Sequence, residues 1–210
     1  MASNKVRVVV AVSGGGRSLK NLLEKQKETE NNYEIVGVVS SKADCGGVSI
    51  AEEAHLPVFV GNFKPVHAKK TSKELTKWLE PLKPKWIALA GFLAPFPLEH
   101  SLSDHVINIH PALLPKFGGK GMYGMHVHRA VVAAKEVYSG ATIHKVTKEY
   151  DEGRVLARVR VEVKDSTPEE LAARVFTAEC DLYPRVLRKL CALGDKGLED
   201  FAVMQYDYPS

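Results

Sequence analysis

Short apolar runs alternate with amphipathic stretches along most of the chain. Residues 6–12, VRVVVAV, are rich in β-branched side chains with almost no polar interruption. Such a run is typical of a strand that is covered on both faces. The same pattern predicts six more strands, at residues 33–41, 57–63, 86–92, 106–111, 140–146 and 154–163.

Helical spacing of apolar residues fills the intervals between these strands. The predicted helices are a first one through Leu19, Leu22 and Leu23, and others at residues 48–54, 69–82, 125–134 and about 168–193. The last has the clearest ends, since Thr167 can cap it, Pro168 fits its first turn and Gly194 follows it. Acidic residues in its first turn, Glu169 and Glu170, also suit the helix dipole.

The alternation of strands and helices predicts the fold class. We expect an α/β, Rossmann-like fold, with a mostly parallel twisted sheet of about seven strands flanked by helices on both faces. The last two strands lie close together in sequence, which favours an antiparallel edge. The final segment, FAVMQYDYPS, is interpreted as a tail or an edge strand. Ligands of such sheets bind beyond the carboxyl ends of the strands.

Composition narrows the class of protein. The chain has 210 residues, 45% of them hydrophobic, which suffices for one sizeable core. The net charge is +4, so nucleic acid is not excluded, but Lys and Arg are spread along the chain, which fits an anionic small molecule at least as well. Three cysteines without metal-type spacing indicate reduced thiols, and no apolar run reaches the ~20 residues of a membrane span. The first residues lack a signal-peptide pattern, so we expect a cytoplasmic protein.

A glycine-rich loop joins the first strand to the first helix. Its residues are Ser13, Gly14, Gly15, Gly16, Arg17 and Ser18. Glycines let the backbone approach a ligand, and the N–H groups of Gly16, Arg17 and Ser18 would point at an anion above the helix terminus. The loop matches neither the P-loop nor a full dinucleotide fingerprint, so a tight turn that needs glycine is the alternative.

Two polar side chains end the otherwise apolar fifth strand. Asn108 and His110 are two residues apart and therefore project to the same face. An amide beside an imidazole can bind a carbonyl oxygen and move a proton next to it. Asp151, on a predicted turn, is a candidate to keep His110 charged, so that the imidazolium stabilises an oxyanion. The alternatives are a hydrogen-bonded strand-end histidine and an ordinary Asp-x-Gly turn.

Five motifs in order resemble the folate-dependent formyltransferases over nearly the whole chain. They are the SGGG loop, SSKAD at residues 40–44, LAGF at 89–92, NIHPALLPKF followed by YDEGRVL, and the late ARVFTAECDLYP with Glu179. The resemblance implies formyl transfer from 10-formyltetrahydrofolate to the amine of glycinamide ribonucleotide (GAR) in purine synthesis. It implies small-molecule substrates only, with no nucleic acid, membrane or metal, and a monomer or weak homodimer.

The resemblance also assigns residues to roles. Catalysis would fall to Asn108, His110 and Asp151. Substrate binding would fall to Ser13, Gly14, Gly15, Gly16, Arg17, Ser18 and, at the ribose, Glu179. The folate cleft would be lined by Leu93, Ala94, Pro95, Phe96, Asn108, Lys148, Glu149, Tyr150 and Asp151. A single domain over residues 1–210 would comprise a phosphate-binding half, 1–100, and a catalytic and folate-binding half, 101–210.

The chain departs from the family pattern at several positions. Arg17 replaces a small polar residue of the loop, and LAPF after GF lacks a basic residue that many members have. Arg154 and Arg158 replace the usual proline and glutamine beside the Asp turn. A longer glycine-rich loop lies between Lys116 and His126 and is interpreted as a flap near the substrate.

Other activities remain open at this point. Methionyl-tRNA formyltransferase shares the motifs but carries a further carboxy-terminal domain. Formyltetrahydrofolate hydrolase carries an additional amino-terminal domain. Neither activity is expected for this chain. His126 and His128, with His110 and Asp151, could instead form a zinc site. A non-catalytic phosphate-binding module is the third alternative, and it would leave Asn108, His110 and Asp151 without a role.

Overall fold

The computed structural model describes residues 5–98, 103–196 and 198–209. Eight strands are found there: β1 (Val6–Val12), β2 (Tyr33–Ser40), β3 (Val58–Val60), β4 (Trp86–Leu89), β5 (Val106–His110), β6 (Tyr138–Lys145), β7 (Val155–Glu162) and β8 (Met204–Asp207). The α-helices of the described residues are α1 (Arg17–Lys25), α2 (Gly46–Glu53), α3 (Ala68–Leu79), α4 (Met125–Ala133) and α5 (Pro168–Ala192). All seven predicted strands and all five predicted helices are present.

The chain divides into two compact units, residues 1–107 and 108–210. In the first unit the strands lie in the order β3-β2-β1-β4, and each pair is parallel. This is the order of one half of a doubly wound α/β fold. The strand pairs within the described residues are mostly parallel, so the predicted α/β, Rossmann-like class is confirmed, with eight strands where about seven were expected.

Helices of the first unit cover both faces of its strands. A Cβ on Gly47 of α2 would lie 2.7 Å from the Val12 side chain of β1. A Cβ on Gly37 would lie 2.8 Å from the Trp78 ring of α3, and Gly37 pairs with Val9. Val9 and Val12 are three residues apart on one strand and face opposite sides. The helices α2 and α3 therefore pack on opposite faces, as the sequence predicts.

The second unit combines antiparallel and parallel pairing. β6 and β7 form the expected antiparallel pair, but the edge strand is β8, which adds to β7 in parallel. The segment interpreted as a tail or an edge strand therefore contains a strand. α5 packs against β6, β7 and α4.

The ends of α5 follow the predicted signals. The Glu170 N–H donates to Thr167 Oγ1 at 3.2 Å, and the Thr167 N–H donates to Glu170 Oε2 at 2.8 Å. This reciprocal capping box satisfies two backbone groups that the first turn leaves without helical partners. Gly194, at φ +63°, follows the last turn. None of the helices that the structure describes combines the length and apolar character that a membrane-spanning segment requires.

Candidate active site

Close packing between helix termini shapes the glycine loop of the first unit. Gly16 adopts φ +73°, and a Cβ there would lie 2.6 Å from the Gly47 Cα. Any side chain at position 16 would therefore force the start of α1 away from α2. At Gly14 and Gly15, in contrast, an added Cβ would meet nothing within 4 Å, and both glycines are exposed. The loop thus has one glycine that packing requires and two that leave open space for a ligand.

Ser13 is buried and its hydroxyl is already engaged. The Leu93 N–H donates to Ser13 Oγ at 2.9 Å, and the Ser41 hydroxyl lies 2.6 Å from the same oxygen. The Ser13 N–H donates to the Gly91 carbonyl at 3.1 Å. These bonds tie the loop to the segments that follow β2 and β4. Direct substrate binding by Ser13 stays a prediction, and the geometry favours a supporting role.

The first turn of α1 carries the groups expected to bind an anion. The helix begins at Arg17, and its first internal hydrogen bond runs from the Lys20 N–H to the Gly16 carbonyl at 2.9 Å. The N–H groups of Arg17 and Ser18 precede that bond and so belong to the positive end of the helix dipole. Arg17 is exposed and Ser18 is half-buried. An anion at this terminus stays a prediction.

The second unit brings the three predicted catalytic residues into one polar cluster and adds a fourth. His110 Nδ1 lies 3.4 Å from Asp151 Oδ2. His144, on β6, places Nε2 at 3.3 Å from Asp151 Oδ1 and at 3.1 Å from Asn108 Nδ2. Both imidazoles are buried, at 3% and 2% exposure. One carboxylate therefore lies against two imidazoles, and one of these imidazoles also contacts the amide.

Backbone carbonyls determine which ring nitrogens carry a proton. The carbonyl oxygen of Phe117 lies 2.7 Å from His110 Nε2, and that of Lys145 lies 2.9 Å from His144 Nδ1. A carbonyl oxygen can only accept, so both of these nitrogens donate. The opposite nitrogens, His110 Nδ1 and His144 Nε2, face Asp151. These are the positions where a proton can arrive or leave.

Burial and charge act in opposite directions on this cluster. Burial lowers the pKa of His110 below its ordinary value, although the Asp151 carboxylate and the bond to Phe117 raise it. Burial raises the pKa of Asp151, but the bond with His144, the charge of His110 and the Gly119 N–H together bring it below its ordinary value. Both groups therefore have pKa values below their ordinary values. For His110, burial outweighs the neighbouring carboxylate, and the expectation that Asp151 keeps His110 charged stays a prediction.

The glycine-rich loop after β5 supports the carboxylate and the imidazole directly. The Gly119 N–H donates to Asp151 Oδ2 at 2.9 Å. A Cβ on Gly118 would lie 3.2 Å from the Asp151 Cβ and 2.5 Å from the Leu114 side chain. The Phe117 carbonyl also contacts His110, so the three consecutive residues 117–119 all lie against the cluster. The start of this loop is thus part of the scaffold of the site.

The turn after β5 is held by β6 and β7. Thr142 Oγ1 donates to the Ala112 carbonyl at 2.7 Å and accepts from the Leu114 N–H at 3.1 Å. Arg158 donates to the Leu114 carbonyl at 2.8 Å. Arg158, a departure from the family pattern, therefore fastens the turn that follows His110.

The second arginine that departs from the family pattern acts elsewhere. Arg154 donates to the carbonyls of Leu198 and Phe201, at 2.5 and 3.0 Å. It thereby anchors the segment that leads into β8.

The residues predicted to line a folate cleft differ in exposure. Phe96 is buried in an aromatic cluster, with ring centroids 5.6 Å from Phe92 and 6.3 Å from Phe63, whereas Leu93 is 52% exposed. Ala94 is half-buried and Pro95 exposed, and Lys148, Glu149 and Tyr150 are exposed on the turn before Asp151. Glu179 is half-buried on α5. Ligand contacts of all these residues stay predictions.

The histidines considered for zinc differ in their surroundings. His126 is exposed and packs edge-on against the Tyr123 ring at 5.2 Å. His128 is buried on α4, and its Nδ1 has no hydrogen-bond partner. Within residues 5–98, 103–196 and 198–209, no group of three or more His, Cys, Asp or Glu side chains is placed to hold a metal ion.

Sequence reasoning missed His144 and the backbone groups of residues 117–119. A signal for His144 was present, because Thr142 and His144 place two polar side chains on one face of the sixth strand. No comparable signal marks the Phe117 carbonyl or the Gly119 N–H, since every residue carries such groups.

Comparison with known proteins identifies the family. The model of the formyl transferase family matches residues 6–187. A phosphoribosylglycinamide formyltransferase of Arabidopsis thaliana, described as chloroplastic, is 40% identical over 200 residues, which cover 92% of this chain and 68% of the relative. The trifunctional purine biosynthetic protein adenosine-3 of Gallus gallus is 34% identical over 190 residues, 89% of this chain and 18% of that protein. The crystal structure of the phosphoribosylglycinamide formyltransferase of Brucella melitensis superposes with a TM-score of 0.79 at 36% identity, covering 90% of this chain and 96% of that one. The chain therefore belongs to the formyl transferase family.

Proposed function

We propose that the protein transfers the formyl group of 10-formyltetrahydrofolate to the amine of GAR, giving formyl-GAR and tetrahydrofolate. Family membership over residues 6–187 supports formyl transfer. The names of the Arabidopsis and Brucella relatives support GAR as the acceptor. The observation that carries the proposal is the cluster of Asn108, His110 and Asp151 at and near the carboxyl end of β5, where α/β sheets bind their ligands.

The cluster contains the groups that acyl transfer to an amine requires. The folate supplies an activated formyl carbon, and the acceptor supplies a nitrogen that must lose a proton. Asn108 donates an amide N–H to the formyl oxygen as negative charge develops on it. An amide is suited to this task because it donates without a change of charge.

His110 moves the proton. Its Nε2 is bound to the Phe117 carbonyl, so Nδ1 accepts the proton of the attacking amine. Asp151, 3.4 Å from that nitrogen, stabilises the imidazolium that results. The same nitrogen then returns the proton to the nitrogen of the leaving folate. A buried histidine whose pKa is lowered, with a carboxylate beside it, suits this sequence of steps.

The remaining roles follow the family assignment. The loop from Ser13 to Ser18 would hold the phosphate of GAR at the positive end of α1. Glu179 would bind the ribose. Residues 93–96 and 148–150 would contact the folate. A cytoplasmic location and a monomer or weak homodimer stay predictions, and the chloroplast description belongs to the plant relatives.

Alanine substitution of the cluster tests the proposal. Asn108→Ala and His110→Ala should each lower kcat by ~10²–10³, the typical loss for one oxyanion donor or one general acid–base group. Tetrahydrofolate formation with GAR is followed spectroscopically. His67→Ala is the control, because His67 is an exposed imidazole of the first unit. A loss below about tenfold in both cluster variants would rule out these roles.

A further inference from the structure

Ser13 is a buried residue whose backbone and side chain both hold the segment that follows β4. It comes directly after β1 and is 2% exposed. Its N–H donates to the Gly91 carbonyl at 3.1 Å, and its Oγ accepts the Leu93 N–H at 2.9 Å. These two bonds bracket a turn in which Gly91 adopts φ +72°. The position of this turn therefore depends on the position of Ser13.

Ser41 extends the contact to the segment that follows β2. Its hydroxyl lies 2.6 Å from Ser13 Oγ, and its N–H donates to the Val12 carbonyl at 3.3 Å. A hydroxyl has one proton and two acceptor sites, so Ser13 Oγ can bind the Leu93 N–H and the Ser41 hydroxyl at the same time. Because Ser13 is buried, the loss of either bond would leave a polar group without a partner. One hydroxyl thus joins three segments of the first unit.

Two of the joined segments belong to different substrates in the proposed function. Residues 13–18 would hold the phosphate of GAR, and residues 93–96 would contact the folate. Ser13 directly precedes Gly14, where an added Cβ would meet open space, and its Oγ binds the backbone of Leu93, which is 52% exposed. A ligand that orders one of these segments therefore also orders the other.

We infer that the hydroxyl pair of Ser13 and Ser41 couples the two substrate subsites, so that bound GAR increases the affinity for the folate. The folate must then increase the affinity for GAR by the same factor. The inference rests on the proposed function. Both serines are positioning residues that act through the backbone of the two segments. Conformational entropy is lost when the first ligand orders the segments, and the second ligand does not lose it again.

The binding of tetrahydrofolate measures this coupling without turnover, since tetrahydrofolate carries no formyl group to transfer. Its Kd is measured by anaerobic calorimetry on the full chain, with and without saturating GAR. GAR should lower this Kd by at least about fivefold, and the converse titration should give the same factor. Equal Kd values with and without GAR, in a protein that formylates GAR, would overturn the inference alone. A protein that does not bind GAR would overturn both the inference and the proposed function.

Thr and Val at position 41 separate the hydroxyl from the space that the side chain fills. The two side chains are similar in shape, and only Thr retains a hydroxyl. Ser41→Thr should retain at least about half of the wild-type coupling factor, and Ser41→Val should reduce the factor to below about twofold. Ser49→Ala is the control, because Ser49 is exposed on α2, and it should retain the wild-type factor. Equal factors in the Thr and Val variants would overturn the inference.

Ser13→Ala tests the other member of the pair. It removes the acceptor of the Leu93 N–H, so the coupling factor should fall to below about twofold. A merely structural role of Ser13 would weaken tetrahydrofolate binding equally with and without GAR, and an unchanged factor would overturn the inference. If Ser13→Ala does not fold, the Ser41 variants still decide the matter.

The wild-type protein offers a test that needs no substitution. NMR measures the hydrogen exchange of the Leu93 amide, which donates to Ser13, and of the Ala90 amide, which donates to the Ala11 carbonyl at 2.8 Å. Saturating GAR, without folate, should slow exchange at Leu93 at least about threefold more than at Ala90. Equal effects of GAR on the two amides would overturn the inference.

Discussion

Replacing Asp151 with Asn removes the charge that faces His110 and retains the shape of the side chain. The amide oxygen of Asn can still accept the Gly119 N–H that Asp151 accepts at 2.9 Å. What disappears is the attraction between a carboxylate and the imidazolium that forms at His110 during the reaction. The variant therefore tests the electrostatic role of Asp151 apart from its structural role.

The magnitude follows from the distance between the two groups. At 3.4 Å and an effective dielectric constant of about 20, two unit charges attract by about 5 kcal/mol. Asp151 is only 12% exposed, so screening by solvent is limited. If the full attraction is present in the transition state, its loss lowers kcat by between three and four orders of magnitude. The pKa of His110, already below its ordinary value, should fall further, because Asp151 is the leading group that raises it.

Two measurements check this prediction. The turnover of Asp151→Asn is measured with GAR as acceptor, and the His110 pKa is followed from the ¹⁵N shifts of its ring. A kcat within tenfold of wild type, together with an unchanged His110 pKa, would refute the reasoning. A large loss of activity with an unchanged His110 pKa would contradict only the electrostatic role of Asp151.

Two further predictions concern the glycine loop and the effect of pH. Gly16→Ala should destabilise the fold by about 1–3 kcal/mol and raise KM for GAR, because Gly16 has a positive φ and a Cβ there would lie 2.6 Å from Gly47. Gly15→Ala is the matched control, since a Cβ at Gly15 would meet open space. Equal urea unfolding midpoints of the two variants would contradict this prediction. Burial lowers the pKa of His110 and of His128 below 6.5, so the unfolded chain binds more protons than the folded one. Stability should therefore be fully present above about pH 6.5 and fall as the pH drops through the folded-state values. The thermal midpoint should decrease as the pH is lowered from about 7.5 to about 5.5, and the decrease should be smaller in His128→Asn. A thermal midpoint that does not depend on pH would contradict this prediction.

The elements predicted from sequence are those that local patterns determine. The caps of α5 are an example, since Thr167, Pro168 and Glu170 specify the start of a helix through groups within one turn. The shared facing of Asn108 and His110 follows from strand alternation alone. β8 was harder to predict, because a four-residue strand is stabilised by pairing with β7 rather than by its own pattern.

Other features of the site depend on contacts between distant segments. His144 is 36 residues from Asn108, and the Gly119 N–H is 32 residues from Asp151. The depth at which His110 is buried, which lowers its pKa, was also not visible from the sequence. The engagement of Ser13 by Leu93, 80 residues away, was hidden for the same reason.

The most direct test of the account is the acceptor dependence of tetrahydrofolate formation by the purified chain. We predict that tetrahydrofolate forms from 10-formyltetrahydrofolate only when GAR is present, in equal amount with formyl-GAR. Omitting the acceptor, or supplying initiator tRNA instead, should give background rates. Turnover that is unchanged without GAR, or that occurs with the tRNA alone, would contradict the account.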